Sequence, residues 1–326
     1  MGPELTTLLR ATAAEAAAFF AGVDPERLVE AVRGASDEEM LELIGRDEIR
    51  SAAVEGILSR LHEYAIEERL AAVEGTVRFD LERRGVLLER CSLAFEQGNL
   101  KFVPDPSEHD PVDVVLRTSI LRLVRLVSGE RNAGLEYLSG KLDIDGDSDL
   151  ALAVGGIFRV PGTGQVAVDP TALDPSDVAA ALAGVKNDHL RKVMASGFRE
   201  VVLGEIFRRL PDFVNARKAR GADLMIGFRL LGNPTGEIER YAVRVRDGVA
   251  TVSRAEPSGS GDSDEAGGRD ATVTCEAFEF LKLATGHLSA ITGVLRGQLK
   301  VKGDKAKALQ LSSIIDIPHA DKHSAR

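Results

Sequence analysis

Between residues 38 and 70, apolar side chains at Leu41, Ile44, Val54, Ile57, Leu58 and Leu61 recur every three or four positions, the spacing of amphipathic helix. Residues 1–22 carry Leu5, Leu8, Leu9, Ala13, Ala16, Phe19 and Phe20 near the same spacing, which predicts an apolar-faced helical arm whose task is packing. Further along, the period falls to two. Residues 76–81 and 91–103 alternate as half-buried strands do, and so do 224–230 and 240–253, where Asp247 and Gly248 supply a hairpin turn. A strand at 113–118, or at 270–275, feeds a helix that ends at Gly129 or Gly286, where glycine suits a left-handed C-cap. A short helix, another alternating strand closed by Gly-Asp at 146–147 or 303–304, and a final apolar helix complete each series. Strands segregated from helices predict an α+β layer structure with room for a cavity between the layers.

The two series are copies of one another. Asp24-Pro25 recurs as Asp174-Pro175, an N-cap followed by proline at the first helical position, at an offset of 150. Ile57, Arg60 and Leu61 match Ile206, Arg209 and Leu210 at offset 149, and Phe79 and Leu81 match Phe228 and Leu230. From 113–152 against 270–309 the alignment is ungapped at offset 157, with eleven identities, among them Gly129/Gly286, Leu138/Leu295, Gly140/Gly297, Leu142/Leu299, Gly146/Gly303 and Asp147/Asp304. This periodicity predicts an arm at 1–23, copy one at 24–160, a Gly- and Pro-containing linker at 161–173, copy two at 174–318 and a tail at 319–326. The Ser-, Gly- and Asp-rich stretch 257–269 reads as a mobile surface loop within copy two.

Composition narrows the function. The chain has 326 residues, 44% of them apolar, which suits two cores. No apolar run reaches membrane-spanning length and the N-terminus lacks the order of a secretory signal, so a cytoplasmic protein is expected. A formal charge of −10 argues against nucleic acid as partner. That charge is uneven: residues 1–165 hold 18 basic and 30 acidic side chains, net −12, whereas 166–326 hold 23 and 21, net +2.

Little points to catalysis or to metal. Cys91 and Cys275 are isolated, which fits buried free thiols. The acidic run Asp143, Asp145, Asp147, Asp149 around Gly146 invites a calcium loop, but that register puts Lys141 at the first ligand position and Leu152 at the twelfth. The six histidines, at 62, 109, 189, 287, 319 and 323, are not repeated between copies. Neither a nucleotide-binding glycine pattern nor a nucleophile elbow is present, so no enzyme activity and no cofactor are expected.

Copy two contains Ala-Thr-Val-Thr-Cys at 271–275, Phe-Glu-Phe-Leu-Lys-Leu-Ala-Thr-Gly at 278–286 and Gly-Gln-Leu-Lys-Val-Lys-Gly-Asp at 297–304 running into Ala-Leu-Gln-Leu at 308–311. Here it resembles the sterol carrier protein 2 family, and copy one, with Leu-Arg-Leu-Val-Arg-Leu-Val-Ser-Gly at 121–129, resembles it more loosely. The resemblance implies two tandem domains, each a five-stranded sheet covered by helices around an apolar tunnel. It implies binding, and transfer, of a sterol, fatty acyl chain or phospholipid, with no catalytic residue to carry over. Candidate lining residues are Leu121, Val124 and Leu138 in copy one, and Phe278, Leu281, Val294, Leu295, Leu309, Leu311 and Ile315 in copy two. The alternative is a scaffold protein with side chains filling the tunnels, motivated by Arg122 and Arg125 in the copy-one helix. The aromatic helix of copy two makes it the expected better binder. Where Asp143 and Asp145 stand in copy one, copy two has Lys300 and Lys302, which with Lys305 and Lys307 form a candidate patch for anionic membranes.

Overall fold

Side-chain caps mark several helix starts in both halves. Within the first helical region, Thr12 with Glu15 and Ser36 with Glu39 form reciprocal capping boxes, and Asp24 accepts from the Arg27 backbone N–H at 3.0 Å with Pro25 at the first helical position. The computed structural model describes residues 3–164, 166, 173–255 and 268–317. The chain divides into two compact units, Met1–Asp169 and Pro170–Arg326.

In the first unit, helices α1 (Pro3–Leu8), α2 (Ala13–Gly22), α3 (Pro25–Arg33), α4 (Asp37–Ile44), α5 (Asp47–Leu58) and α6 (Glu67–Leu70) precede the sheet. The arm foreseen at 1–22 is thus two helices, because the Thr12 capping box restarts the chain. Likewise 38–70 is several pieces, since Gly45 closes α4 and a 3-10 turn, Leu61–Tyr64, follows α5. Strands β1 (Gly75–Arg83), β2 (Val86–Glu96), β3 (Asn99–Pro104), β4 (Val114–Ser119) and, after helices α7 (Ile120–Val127) and α8 (Ala133–Leu138), β5 (Asp143–Gly146) pair in the order β3-β2-β1-β4-β5. Helix α9 (Ser148–Ile157) follows. Strands β1 and β4 run parallel; the other pairs are antiparallel.

The second unit repeats this plan. Helices α10 (Pro175–Ala181), α11 (Asn187–Met194) and α12 (Phe198–Arg209) lead to β6 (Asp223–Leu231), β7 (Glu239–Arg246), β8 (Val249–Ala255) and β9 (Ala271–Glu276). Helices α13 (Ala277–Ala284) and α14 (Ala290–Leu295), strand β10 (Lys300–Gly303) and helix α15 (Lys305–Ile314) complete it, in the order β10-β9-β6-β7-β8. Most of the stretch foreseen as a loop at 257–269, most of the linker and the tail lie outside the described residues.

Alternation sorts each sheet into two faces. Val77, Phe79, Leu81, Leu93 and Leu116 are buried on the helix side of the first sheet, as are Leu224, Ile226, Phe228, Val243 and Val273 in the second. One closure device is duplicated. Asp113 accepts from the Thr76 N–H at 2.7 Å while its carbonyl takes the Asp147 N–H, and Asp270 does the same for Met225 and Asp304. Gly146 and Gly303 are required there, because a Cβ would fall 2.3 Å and 2.5 Å from those carbonyl oxygens.

Cys91 and Cys275 are buried free thiols, and burial pushes both up to about 12. A thiol raised in the folded state contributes stability below its unfolded pKa that is lost as pH rises toward 12. Neither thiol should therefore react with Ellman's reagent at pH 8 until denaturant is added. Two equivalents released by native protein within minutes would contradict the burial.

Candidate ligand cavity

Helix α7 builds the wall of a cavity in the first unit. Ser119 caps it by accepting from the Arg122 N–H, and its sequence ILRLVRLV then puts Ile120, Leu123, Val124 and Val127 on one apolar face. That face meets Val32 of α3, Met40 and Leu43 of α4, Val54, Ile57 and Leu58 of α5, Leu5 of α1 and Phe20 of α2 around a cavity of about 50 Å³. Among the lining residues Arg50 alone is charged, and its guanidinium is engaged by Glu89 at 2.7 Å, Asp47 at 2.6 Å and the Ile44 carbonyl at 3.3 Å. No lining group therefore asks for a polar ligand. The volume suits a few apolar atoms and lies well under the roughly 300 Å³ at which small-molecule sites begin.

Arg125 turns away from this space. It is buried, with Asp37 at 2.9 Å, Glu130 at 2.8 Å and the Val32 and Ala35 carbonyls as acceptors, so it fastens α7 to the start of α4. Arg122 pairs with Glu136 at 3.3 Å. In copy two the same tie is made by Lys282 and Asn187, 3.2 Å apart.

The arm supplies part of the wall. Leu5, Leu8, Ala16 and Phe20 are buried against Val32, Met40, Leu43 and Ile49, with Leu121 and Val124 packed on the same cluster. Arg46 donates to the Leu9 and Ala11 carbonyls and Arg60 to those of Phe20 and Val23, which holds the arm's polar backbone.

In the second unit, aromatic rings occupy the interior between α12, α13 and the sheet. Phe207 stacks on Tyr241 at 3.8 Å and on Phe280 at 4.9 Å, while Phe228 meets Phe280 edge-on at 5.3 Å. Leu281 and Phe278 are buried on α13, with the Arg191 guanidinium 4.6 Å above the Phe278 ring.

The remaining candidates scatter. Leu138 and Leu311 are buried, Val294 is half-buried, and Ile315 forms a bridge to Val214. Leu295, 82% exposed, and Leu309, 40% exposed, lie on the surface. Lys300, Lys302 and Lys305 are exposed, whereas Lys307 is bound to Asp270 at 2.6 Å. Two polar pairs escaped the sequence reading: Arg50 with Glu89, and Arg199 with Glu239 at 2.7 Å. Their signal was available, since Arg50/Arg199 repeat at offset 149 and Glu89/Glu239 at 150.

The family model of the SCP-2 sterol transfer family matches residues 54–159 and 228–316, one segment in each unit and more than half of the chain. The chain belongs to the SCP-2 sterol transfer family. Both SCP-2 matches take in the whole stretch from α7 or α13 to α9 or α15, whereas the arm, α3 and α4 lie outside them. Hydroxysteroid dehydrogenase-like protein 2 of Xenopus tropicalis is 26% identical over 113 residues, 35% of this chain and 24% of that protein. The chain thus spans about a quarter of the length of that curated relative. Sterol carrier protein 2 from Yarrowia lipolytica, in its apo form, is 23% identical, covers 38% of this chain and 94% of its own, and has a TM-score of 0.29. Palmitated SCP2L2 from Aedes aegypti is 19% identical over 37% of this chain and 96% of its own, with a TM-score of 0.28. The sec-alkylsulfatase Pisa1 from Pseudomonas sp. is 17% identical over 52% of this chain and 27% of its own, with a TM-score of 0.28. No helix among the described residues is long and apolar enough to cross a membrane.

Proposed function

We propose that this SCP-2 protein binds and carries an apolar lipid, a sterol or a fatty acyl chain, in copy one, with the arm of α1 and α2 as the movable part of the wall. The observation that carries this reading is an apolar cavity whose single charged lining residue is already paired. Displacing Leu5 and Phe20 enlarges it without stranding a buried charge. Burying roughly 300 Å² of a lipid tail contributes on the order of 7 kcal/mol gross, from which association entropy is subtracted. Micromolar affinity is the expected result. We keep 24–160 and 174–318 as the extents of the two copies and treat neither as a catalyst.

We infer the opposite order of the copies from the one expected from the sequence, because the rings of Phe207, Tyr241, Phe280 and Phe228 pack together in the interior of copy two. That packing favours a second reading for copy two alone, a filled structural module. Displacement of a fluorescent fatty acid and native mass spectrometry separate the cases. Val124→Arg should remove lipid uptake, while Leu281→Arg, scored on protein shown to be folded, should leave the copy-one stoichiometry in place. Uptake that survives Val124→Arg but not Leu281→Arg would move the site to copy two, and absence of uptake by the unaltered protein would end the carrier reading.

A further inference from the structure

The two sheets differ most on the face turned away from their helices. In the first sheet that face is a network of ion pairs centred on Asp80, in which the shielded Arg78 Nε makes an ion pair but no hydrogen bond. Asp80 holds Arg90 at 2.9 Å, Arg78 at 3.3 Å and Arg117 at 3.8 Å. Arg117 also reaches Asp143 at 3.3 Å and Asp145 at 3.1 Å, Arg90 lies 3.9 Å from the Glu108 carboxylate, and Arg78 donates to the Glu108 carbonyl at 2.9 Å. Three guanidiniums meet four carboxylates.

Copy two keeps the frame and loses the acids. Arg229 stands where Asp80 does, Arg240 where Arg90 does, and Lys300 and Lys302 where Asp143 and Asp145 do. Register puts Arg229 directly opposite Arg240 on β7 and beside Thr274 on β9, whose own partner is Lys300. Gly227, in place of Arg78, leaves room for a third guanidinium: a Cβ there would lie 3.1 Å from Cδ of Arg269 and 3.5 Å from its Nε. The Nε atoms of Arg229 and Arg269 are both shielded from solvent without a hydrogen-bond partner, and among the described residues Arg240 donates to the Ile238 carbonyl at 3.4 Å. Of the neighbouring described acids, Asp270 takes Lys307 and the Met225 N–H, while the Glu276 carboxylate stands beside Gly232, at the Leu231 end of the strand pair.

Like charges directly opposite one another on a sheet cost stability, and shielded guanidinium N–H groups without acceptors cost more. Copy one shows the cure for such a cluster, an oxyanion at its centre, and among the described residues of copy two Arg229 stands in the place of that oxyanion. We propose that Arg229, Arg240 and Arg269 form an anion site for a phosphate monoester, with Lys300 and Lys302 at its rim. A phosphate dianion offers three free oxygens to three planar forks, a better match than one carboxylate. The site is on the opposite side of the second sheet from the core and does not depend on the lipid reading of copy one.

Glycerol 3-phosphate and phosphatidic acid carry the same group, the first in solution and the second on a membrane. Titration calorimetry with glycerol 3-phosphate and sedimentation with phosphatidylcholine vesicles, with and without phosphatidic acid, distinguish them. Binding in either arm supports the site and tells its source; binding in neither overturns it. Arg229→Asp installs the copy-one arrangement beside Arg240 and should weaken phosphate binding about tenfold or more. In phosphate-free buffer it should leave the Tm unchanged or raise it, which a merely structural arginine would not do. Arg229→Gln serves as the second variant, and undiminished binding in both overturns the proposal. Neutralising Asp262, Asp264 and Glu265 supplies the last arm. Phosphate binding seen only in that variant would assign the face to the chain's own acids instead.

Discussion

Arg199→Ala should be the most damaging single substitution in the second unit, costing about 3–5 kcal/mol because it leaves Glu239 buried without its partner. The side chains of Arg199 and Glu239 are 5% and 8% exposed and meet at 2.7 Å, and the same guanidinium serves the Met194 carbonyl at 2.9 Å and that of Leu231 at 3.1 Å. At about 2–4 °C per kcal/mol for a unit of this size, the Tm should fall by roughly 10 °C in scanning calorimetry. The equivalent Arg50→Ala should cost less, since Glu89 is more exposed and Asp47 is at the surface. Joint replacement of Arg199 by Met and Glu239 by Leu should recover most of the loss, as buried pairs exchanged for apolar ones commonly do. A single-variant cost under about 1 kcal/mol, the range of surface pairs, would show that the pair does not hold α12 to the sheet.

Phe20→Ala should loosen the arm and speed lipid entry. Phe20 is buried beside Gly56, so close that a Cβ on that glycine would fall 2.5 Å from the Phe20 Cβ, and it lines the cavity. Removing a buried phenyl ring costs about 3–5 kcal/mol. If only 3 kcal/mol of that falls on arm docking, the undocked population rises on the order of a hundredfold, since each 1.4 kcal/mol is a factor of ten. Stopped-flow association of a fluorescent fatty acid should accelerate accordingly, and amide exchange of residues 13–22 should lose protection. Gly56→Ala should act in the same direction through the clash. Unchanged association kinetics in both variants, with exchange showing the arm released, would mean that lipid does not enter past α2.

The duplication was legible because its marks are conformational. Asp-Pro starts, C-cap glycines and the Gly-Asp turn specify backbone geometry, and they fall in register at 24 and 174, 129 and 286, and 146 and 303. Which apolar side chains border an open space was not legible. Val124 lines the cavity of the first unit and Leu281 is buried on α13, yet both recur at helical spacing on equivalent helices. Nor could spacing show that Arg125, one residue past Val124, turns about 100° around the helix to meet Asp37 and Glu130 rather than block the cavity. The contrast of Asp143 and Asp145 with Lys300 and Lys302 was visible in the sequence. Its extension inward, to Asp80 against Arg229, needed the strand register.

The stacked rings of copy two also give the protein an optical address. The chain has no tryptophan and only three tyrosines, and Tyr241 alone of these lies in the second unit, 3.8 Å from Phe207 with the rings 12° from parallel. A tyrosine held that rigidly against another chromophore should dominate the near-ultraviolet circular dichroism of its half. Tyr64 and Tyr137 sit in the other half, so Tyr241→Phe subtracts one unit's signal and leaves its neighbour's. Each domain can then be watched melting inside the intact chain, with no label attached.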